Sequence, residues 1–138
     1  MKIILLMLLL ASQQVYAEEN QKVLVIRVLD GDTFEITNQC TAFESMRKVR
    51  VRMNRINSPE IHTKCLEEKQ KGLEAKAVLS NKILNKTVTL KSCKNDKFAR
   101  WLCEVEFDGE NISDFMLKSN NALPYNGEKK PPNQCNTK

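Results

Sequence analysis

Alternating hydrophobic and polar residues predict that most of the chain is made of short β-strands. Five segments alternate with the period of a half-buried strand, at residues 22–29, 33–37, 47–56, 86–93 and 100–107. Asp30-Gly31-Asp32 separates the first two strands, and Asp108-Gly109 follows the fifth. Both sequences are typical of tight turns, so the strands are expected to pair with their neighbours along the chain.

Between the third and fourth strands the apolar residues change to a helical period. Leu66, Leu73, Ala77 and Leu84 recur at the spacing of one face of a helix over residues 65–85. We therefore expect one long helix here, with these four residues on one face.

A second, shorter helix is predicted after the fifth strand, over Asp114–Ser119. Ser113 precedes it and is a suitable N-cap, because its hydroxyl can accept a hydrogen bond from a free backbone N–H. Asn120 follows it and suits the left-handed conformation in which many helices end.

The order of three strands, a helix, two strands and a short helix predicts the fold class. It is the layout of an α+β, mainly β domain built as a five-stranded OB-fold barrel with two or three helices. We expect residues 18–138 to form this single domain, with a Pro-rich basic tail from about residue 126. OB-fold barrels often bind oligonucleotides, although the fold alone does not establish a function.

The first 17 residues have the pattern of a secretory signal peptide. Lys2 precedes the apolar run Ile3–Ala11, and the small residues Val15 and Ala17 stand before the expected cut. The alternative is an uncleaved anchor, but the run is shorter than the roughly 20 residues of a spanning helix. We expect an exported protein, periplasmic or secreted, without stable membrane insertion after cleavage. Its formal charge falls from +5 to +4, which permits a polyanionic partner without requiring one.

The five cysteines are expected to form disulfides in an exported chain. They are Cys40, Cys65, Cys93, Cys103 and Cys135. Because the number is odd, at least one is free or pairs with another chain. Cys93 and Cys103 flank a predicted hairpin and are candidates for one bridge, with Cys65 as a competitor for Cys93. Zinc is disfavoured, because the chain has no CxxC pair and a single histidine.

Two arginines and one carboxylate occur where a phosphate-handling site would need them. In VRMNRINSPE, Arg52 ends the regular part of the third strand and Glu60 follows a proline. Arg100 opens the fifth strand, and Asp32 stands in the first turn. Hydrolysis of a phosphodiester uses cations that stabilise the developing negative charge and a carboxylate that acts on water. A hard metal ion bound by oxygen ligands can share this task.

Taken together, these residues resemble the staphylococcal-nuclease (thermonuclease) family. The matching pieces occur in the family's order with similar spacing and cover most of residues 22–125. They are VLDGDTFEI, VRMNRINSPE, EKQKGLEAKAVL, DKFAR, DGENISDFML and ALPY.

The resemblance implies calcium-dependent endonuclease activity on DNA and RNA that leaves 3′-phosphates. We expect single-stranded or denatured nucleic acid to be favoured, and the protein to be a monomer. The resemblance implies roles for eight residues. Arg52 and Arg100 would bind the phosphate, Glu60 would act on water, and Lys97 and Tyr125 would contact the nucleotide. The calcium ligands would be Asp32, Asn57 and the backbone carbonyl of Ser58.

Four positions depart from the family pattern. Asn57 stands where the family usually has Asp, so it keeps an oxygen ligand but lacks the negative charge. Phe98 replaces a usual Tyr and lacks its hydroxyl. Ala99 replaces a usual Gly, which is costly if that turn needs a positive φ. Asn120 replaces a Gly, a mild change because Asn tolerates the left-handed region.

Two hypotheses of other classes stay open. The departures from the family pattern at Asn57, Phe98 and Ala99 favour a secreted OB-fold module that binds nucleic acid but no longer cleaves it. The cysteines are also compatible with a disulfide-stabilised interaction protein that binds no nucleic acid.

Four further residues have a structural and a functional interpretation. His62 is interpreted as an exposed loop residue rather than a general base, and Trp101 as packing on the barrel rather than stacking on a base. Arg50 and Arg55 are interpreted as charges of the surface or of a nucleic-acid groove.

Overall fold

Five strands close into a barrel in the computed structural model, which describes residues 20–38, 47–130 and 135. The elements in chain order are β1 (Gln21–Val28), β2 (Thr33–Asn38), β3 (Arg47–Met53), β4 (Ile56–Asn57), α1 (Leu66–Ile83), β5 (Thr87–Asn95), β6 (Trp101–Phe107), β7 (Glu110–Asn111), α2 (Ile112–Lys118) and β8 (Leu123–Pro124). The predicted order of main elements is confirmed. The predicted signal peptide and Cys40 lie outside the described residues.

The barrel closes through one parallel pairing. Strands β3, β2, β1, β5 and β6 are antiparallel neighbours in that order, and β3 then pairs with β6 in parallel. In this last pairing Val51 lies opposite Trp101, and Arg52 lies opposite Leu102. The predicted five-stranded OB-fold barrel is therefore confirmed, and its closure brings the end of β3 beside the start of β6.

The alternation along the strands places large apolar side chains inside the barrel. Phe34, Ile36, Val51 and Met53 are completely buried. Burial of one side chain of this size contributes about 1.5–3 kcal/mol, so this layer holds β2 against β3. Trp101 is partly buried and packs against the same core, as predicted.

The third strand is shorter than predicted. It ends at Met53 rather than at residue 56, because Arg55 adopts a φ of 64° and turns the chain. After this turn, β4 pairs with β8, with Ile56 opposite Pro124. The turn redirects the following loop toward the end of the barrel.

The predicted helix α1 is confirmed, but it packs on the core through a different face from the one that carries the four residues of the pattern. Leu66 and Leu73 are 79% and 47% exposed, Ala77 is also exposed, and Leu84 lies just beyond the helix and is half-buried. The residues that the helix buries are instead Gly72, Ala75, Leu79 and Ile83.

Small residues explain this difference. Gly72 and Ala75 add little to a hydrophobic pattern, yet they let the helix approach the barrel and its loops closely. Leu66 and Leu73 add more to the pattern, yet both are exposed. Neither helix of the described chain combines the length and apolar character needed to span a bilayer.

The N-terminus of α2 also differs from the prediction. The helix begins at Ile112, and Asn111 is its N-cap, with a side-chain oxygen that accepts from the backbone N–H of Asp114 at 3.2 Å. Ser113 is buried, and its hydroxyl donates to the carbonyl of Asn54 at 2.9 Å. Asn120 has the expected left-handed conformation, with a φ of 58°.

Two disulfides join four of the five cysteines. Cys93 and Cys103 are bonded across the β5–β6 hairpin, which confirms that candidate pair. Cys65 does not compete for Cys93, because it is bonded to Cys135, 70 residues along the chain. In the chain-entropy account, a link across a loop of this length stabilises the fold by about 4 kcal/mol.

We expect peptide mapping of the oxidised protein to recover these two links and no other intramolecular pair. Digestion without reduction should yield one peptide pair joined through Cys65 and Cys135, and another joined through Cys93 and Cys103. Alkylation of the unfolded, unreduced chain should label Cys40. A peptide that joins Cys65 to Cys93 would contradict this pairing.

Candidate active site

Four segments converge on an open cavity of about 830 Å³ at one end of the barrel. They are the β1–β2 turn, the chain from the end of β3 through the loop after β4, the turn before β6, and the segment after β8. Seven of the predicted site residues line this cavity: Asp32, Arg52, Ser58, Glu60, Lys97, Arg100 and Tyr125. The eighth, Asn57, is adjacent in sequence but is not among the lining residues.

Asp32, in the β1–β2 turn, is connected through its carboxylate to two points of the second segment. One oxygen accepts from the Thr33 hydroxyl at 2.9 Å, and the other accepts from the Ser58 backbone N–H at 2.8 Å. The second oxygen also lies 3.3 Å from Nη2 of Arg52. Arg52 in turn donates through Nη1 to the carbonyl of Met53 at 2.6 Å. The guanidinium is thus held from two sides at the edge of the cavity.

Two glycines permit the loops of the site to pack closely. A Cβ atom on Gly31 would lie 2.7 Å from the Cβ atoms of both Ser58 and Ala75. A Cβ atom on Gly72 would lie 2.9 Å from the carbonyl oxygen of Pro59. The turn that carries Asp32 and the loop that carries Glu60 can therefore pack this closely only because Gly31 and Gly72 have no side chain. A pattern of hydrophobic and polar residues does not reveal this requirement.

Asn57 has a buried polar atom that no described group satisfies. Its Oδ1 makes no hydrogen bond with any described residue. A buried unpaired acceptor is costly, and an oxygen-binding cation is one partner that would satisfy it. The Asp32 and Asp30 carboxylates, which line the cavity, offer further oxygen ligands. This chemistry fits calcium, although the described residues hold no cluster of three or more acidic, histidine or cysteine ligands.

Asp30 is a second carboxylate at the cavity. Its Oδ1 accepts from the backbone N–H of Asp32 at 2.9 Å. Burial, followed by the nearby charge of Asp32, raises the pKa of Asp30 from 3.8 to about 7. Arg52 opposes this rise only weakly. Near neutral pH, and with no cation bound, the site therefore carries less than two full negative charges on this pair.

Glu60 lies on the rim of the cavity, at the start of the loop that leads to α1. Its side chain is 52% exposed, and one of its oxygens lies 2.8 Å from Nζ of Lys130. Its backbone N–H donates to the Glu68 carboxylate in α1 at 3.3 Å. The loop backbone is thus tied to the helix, while the carboxylate itself remains open to solvent.

Arg100 is held by Asp96, four residues earlier. Both Nε and Nη2 of Arg100 lie 2.8 Å from the same Asp96 oxygen. The other Asp96 oxygen accepts from the backbone N–H groups of Phe98 and Arg100. Burial acts to raise the pKa of Asp96, but these hydrogen bonds and the guanidinium together lower it below its ordinary value.

The turn between Asp96 and Arg100 has a strained residue. Ala99 adopts a φ of 56°, a left-handed conformation that costs a residue with a Cβ roughly 1–2 kcal/mol. Phe98, next to it, is 64% exposed at the cavity. The Arg100 guanidinium and the Lys97 ammonium each lie 5.1 Å from its ring centroid, within cation–π range.

The remaining candidates have different surroundings. Tyr125 is half-buried, and its backbone N–H donates to the carbonyl of Arg55 at 2.8 Å. His62 is exposed, as predicted. Arg50 is exposed and pairs with Glu35 at 3.6 Å. Arg55 lines the cavity and pairs with Asp114 at 3.0 Å.

Two residues of the site, Asp96 and Lys130, have no role predicted from the sequence. Asp30 is expected at the first turn with Asp32 but has no ligand role of its own, and Asp96 occurs only within the segment DKFAR. Lys130 lies in the tail, far from the other residues in sequence. The five-residue segment DKFAR contains a signal for Asp96, because Asp four residues before Arg can pair with it locally. The sequence near Lys130 holds no such signal.

We expect Ala99→Gly to raise the free energy of unfolding by about 1 kcal/mol, because glycine adopts a positive φ without a Cβ penalty. Urea unfolding at a fixed pH measures this change. Ala77→Gly is the matched control, since an exposed alanine within α1 should lose about 1 kcal/mol by the same substitution. If both substitutions lowered the free energy of unfolding equally, Ala99 would not be strained.

We expect Asp30→Asn to stabilise the calcium-free protein more at pH 8 than at pH 5. The folded-state pKa of about 7 lies above the unfolded value, so the wild-type carboxyl favours folding at low pH. This contribution is lost as the pH rises from about 4 to about 7. The neutral amide removes that loss.

Urea unfolding in the presence of EDTA, at both pH values, measures this difference. Asp108→Asn, on an exposed turn, is the control and should show no such pH dependence. A wild-type protein that gains stability steadily from pH 5 to pH 8, with Asp30→Asn parallel to it, would contradict the raised pKa.

Comparison with known proteins supports the resemblance. Residues 50–137 match the family model described as staphylococcal nuclease homologue. Two relatives, from Escherichia coli O157:H7 and from Escherichia coli, are each named uncharacterized endonuclease and are 31% identical over 102 residues. The match covers 73% of this chain and 59% of each relative, so the chain spans about three-fifths of their length.

The family model covers more than half of the chain, including the segments that carry Arg52, Glu60 and Arg100. The closed five-stranded barrel and the cavity at its end are in accord with that match. The chain belongs to the staphylococcal nuclease homologue family.

Proposed function

We propose that the chain is an exported, calcium-dependent endonuclease that hydrolyses DNA and RNA and leaves 3′-phosphates. The observation that carries this proposal is the meeting of Arg52, Arg100 and Glu60 at one open cavity. Two cations and one carboxylate are what hydrolysis of a phosphodiester needs. The family match and the endonuclease names of the relatives support the same reaction class.

The two arginines would stabilise the negative charge that develops on the phosphoryl oxygens. Both remain protonated at physiological pH, so they act by charge and hydrogen bonding rather than by proton transfer. Arg52 is held by Asp32 and Arg100 by Asp96, so neither guanidinium must be ordered when the phosphate arrives. Such preorganised donors are effective because they need little rearrangement during the reaction.

Glu60 would accept a proton from the water that attacks phosphorus. It is exposed enough to hold a water molecule, and its backbone is fixed against α1. As the water oxygen bonds to phosphorus, the P–O5′ bond breaks, the 5′-oxygen takes a proton from solvent, and the phosphate stays on the 3′-oxygen. A positioned general base of this kind contributes about 10²–10⁴-fold to a rate.

Calcium would be held by the carboxylate of Asp32, the side-chain oxygen of Asn57 and the carbonyl of Ser58. The unsatisfied Oδ1 of Asn57 and the all-oxygen donor set support this assignment. When bound, the ion supplies positive charge that polarises the phosphate. Asp30 adds a further carboxylate nearby, which offsets part of the charge missing at Asn57.

Lys97 and Tyr125 would contact the nucleotide on either side of the reacting phosphate. Both line the cavity, and the exposed ring of Phe98 lies beside Lys97. Bases of a single strand are free to stack on such a ring, whereas those of a duplex are not. We therefore propose that single-stranded or denatured nucleic acid is preferred and that the enzyme acts as a monomer.

Export remains part of the proposal on the evidence of the sequence. The apolar run and small residues before position 18 favour a cleaved signal peptide. Two disulfides are in keeping with an oxidising compartment. The domain would then comprise residues 18–138.

A second candidate function is nucleic-acid binding without cleavage. The neutral Asn57 and the strained Ala99 favour it, since both weaken groups on which hydrolysis depends. Such a module would keep the cationic cavity while losing the metal.

The experiment that tests the proposal is cleavage of denatured DNA by residues 18–138 while calcium is titrated. We expect cleavage by the native chain and a loss of about 10²-fold or more in Glu60→Gln. Asn57→Asp should lower the calcium concentration for half-maximal activity by about tenfold, because an added unit charge near a divalent ion contributes on the order of 1–2 kcal/mol.

Glu67→Gln is the matched control, since Glu67 is exposed on α1 and does not line the cavity. It should retain native activity. If the native chain is inert at every calcium concentration yet binds denatured DNA, the binding module replaces the enzyme. Recovery of cleavage in Asn57→Asp would then locate the loss at the metal site.

A further inference from the structure

The segment from Tyr125 to Lys130 is attached to the rest of the molecule on both sides. On one side, β8 pairs with β4, and the Tyr125 N–H donates to the Arg55 carbonyl at 2.8 Å. On the other side, Cys135 is bonded to Cys65, which directly precedes α1. These attachments carry the segment past the opening of the cavity.

Four residues of this segment line the cavity, namely Tyr125, Asn126, Gly127 and Lys130. We call residues 125–130 the tail wall. The backbone N–H of Asn126 donates to the Glu128 carboxylate at 2.8 Å, so the wall has internal order of its own. The wall faces the loop that carries Glu60.

Lys130 is the cation of the tail wall that meets the active-site loop. Its Nζ lies 2.8 Å from Oε1 of Glu60, although 70 residues separate the two in sequence. The side chains are 48% and 52% exposed. An ion pair this exposed contributes little to folding stability. Stabilisation of the fold therefore does not account for this ion pair, and its location at the cavity favours a role in binding.

The two arginines assigned to the reacting phosphate are each held by a carboxylate of low exposure. Arg52 is paired with the buried Asp32, and Arg100 with the largely buried Asp96. Lys130 has an exposed partner that can be solvated independently, and its long side chain can move without disturbing buried groups. It is therefore better able than Arg52 or Arg100 to shift from a carboxylate to an arriving phosphate.

We propose that the tail wall forms one side of a groove for a nucleic-acid strand and that Lys130 binds a phosphate next to the reacting one. The Cys65–Cys135 disulfide holds the wall in this place. The identity of the ligand as a polynucleotide rests on the proposed function. The role assigned to Lys130 is binding of the strand, which is separate from cleavage of the bond.

The test is equilibrium binding of a fluorescein-labelled oligothymidylate, followed by fluorescence anisotropy in EDTA at a series of sodium chloride concentrations. We expect Lys130→Met to weaken binding by about three- to fivefold at low salt. It should also reduce the slope of log affinity against log salt by about 0.7, since one phosphate contact to a single strand is lost. Lys130→Arg should keep the native slope.

Lys69→Met is the matched control, because Lys69 is an exposed lysine of α1 outside the cavity. It should leave both the affinity and the slope unchanged. If Lys130→Met retains the native slope, or if Lys69→Met loses as much as Lys130→Met, the proposed phosphate contact is wrong.

The disulfide is tested with the double variant Cys65→Ser/Cys135→Ser. We expect the same loss of affinity and slope as in Lys130→Met, and no further loss when all three substitutions are combined, because both changes remove one interaction. Circular dichroism establishes that each variant is folded at the assay temperature. Additive losses would show that the disulfide does not act through Lys130.

Cleavage assays with calcium separate this inference from the proposed function. If the native chain cleaves DNA but Lys130→Met binds the oligothymidylate as tightly as the native chain, the role proposed for the tail wall is wrong and the proposed enzyme stands. If the native chain binds with the expected salt dependence but does not cleave, the proposed enzymatic function is wrong and the proposed binding groove stands. A rise in kcat in Lys130→Met would show that Lys130 restrains Glu60 instead of binding the strand.

Discussion

The buried ion pair between Asp32 and Arg52 is the constraint on which the rest of the site depends. Both residues are less than 10% exposed, so each charge would be costly without the other. The pair joins the turn before β2 to the end of β3, and the Ser58 N–H adds a second connection to the same carboxylate. Because Ser58 is fixed in this way, the chain two residues later must bring Glu60 to the same cavity.

Close packing around this pair is possible only where side chains are missing. Gly31 lies against Ser58 and Ala75, and Gly72 lies against the carbonyl of Pro59. These contacts set the distance between α1 and the loop that carries Glu60. The helix therefore supports the site through its small residues, while the hydrophobic core beneath holds the barrel itself.

Much of the fold follows from the sequence, because strand alternation and turn residues are local signals. The order of the barrel strands could be predicted, and seven of the eight predicted site residues line the cavity. The roles of those residues remain predictions. The buried face of α1 carries a clear hydrophobic signal only at Leu79 and Ile83, because Gly72 and Ala75 make contacts that depend on shape rather than hydrophobicity. The bond between Cys65 and Cys135 could not be predicted, since it joins segments 70 residues apart. Lys130 reaches Glu60 only through that long-range arrangement.

The charge at the proposed calcium site depends on a proton as well as on sequence. With a neutral Asn57, the negative charge near Asp32 is supplemented by Asp30, whose pKa is about 7. A bound divalent ion would favour the ionised form of Asp30 and release its proton, so affinity for the ion would rise as the pH increases through 7. Asp30 thus offsets the charge lost at Asn57 only in neutral to alkaline solution.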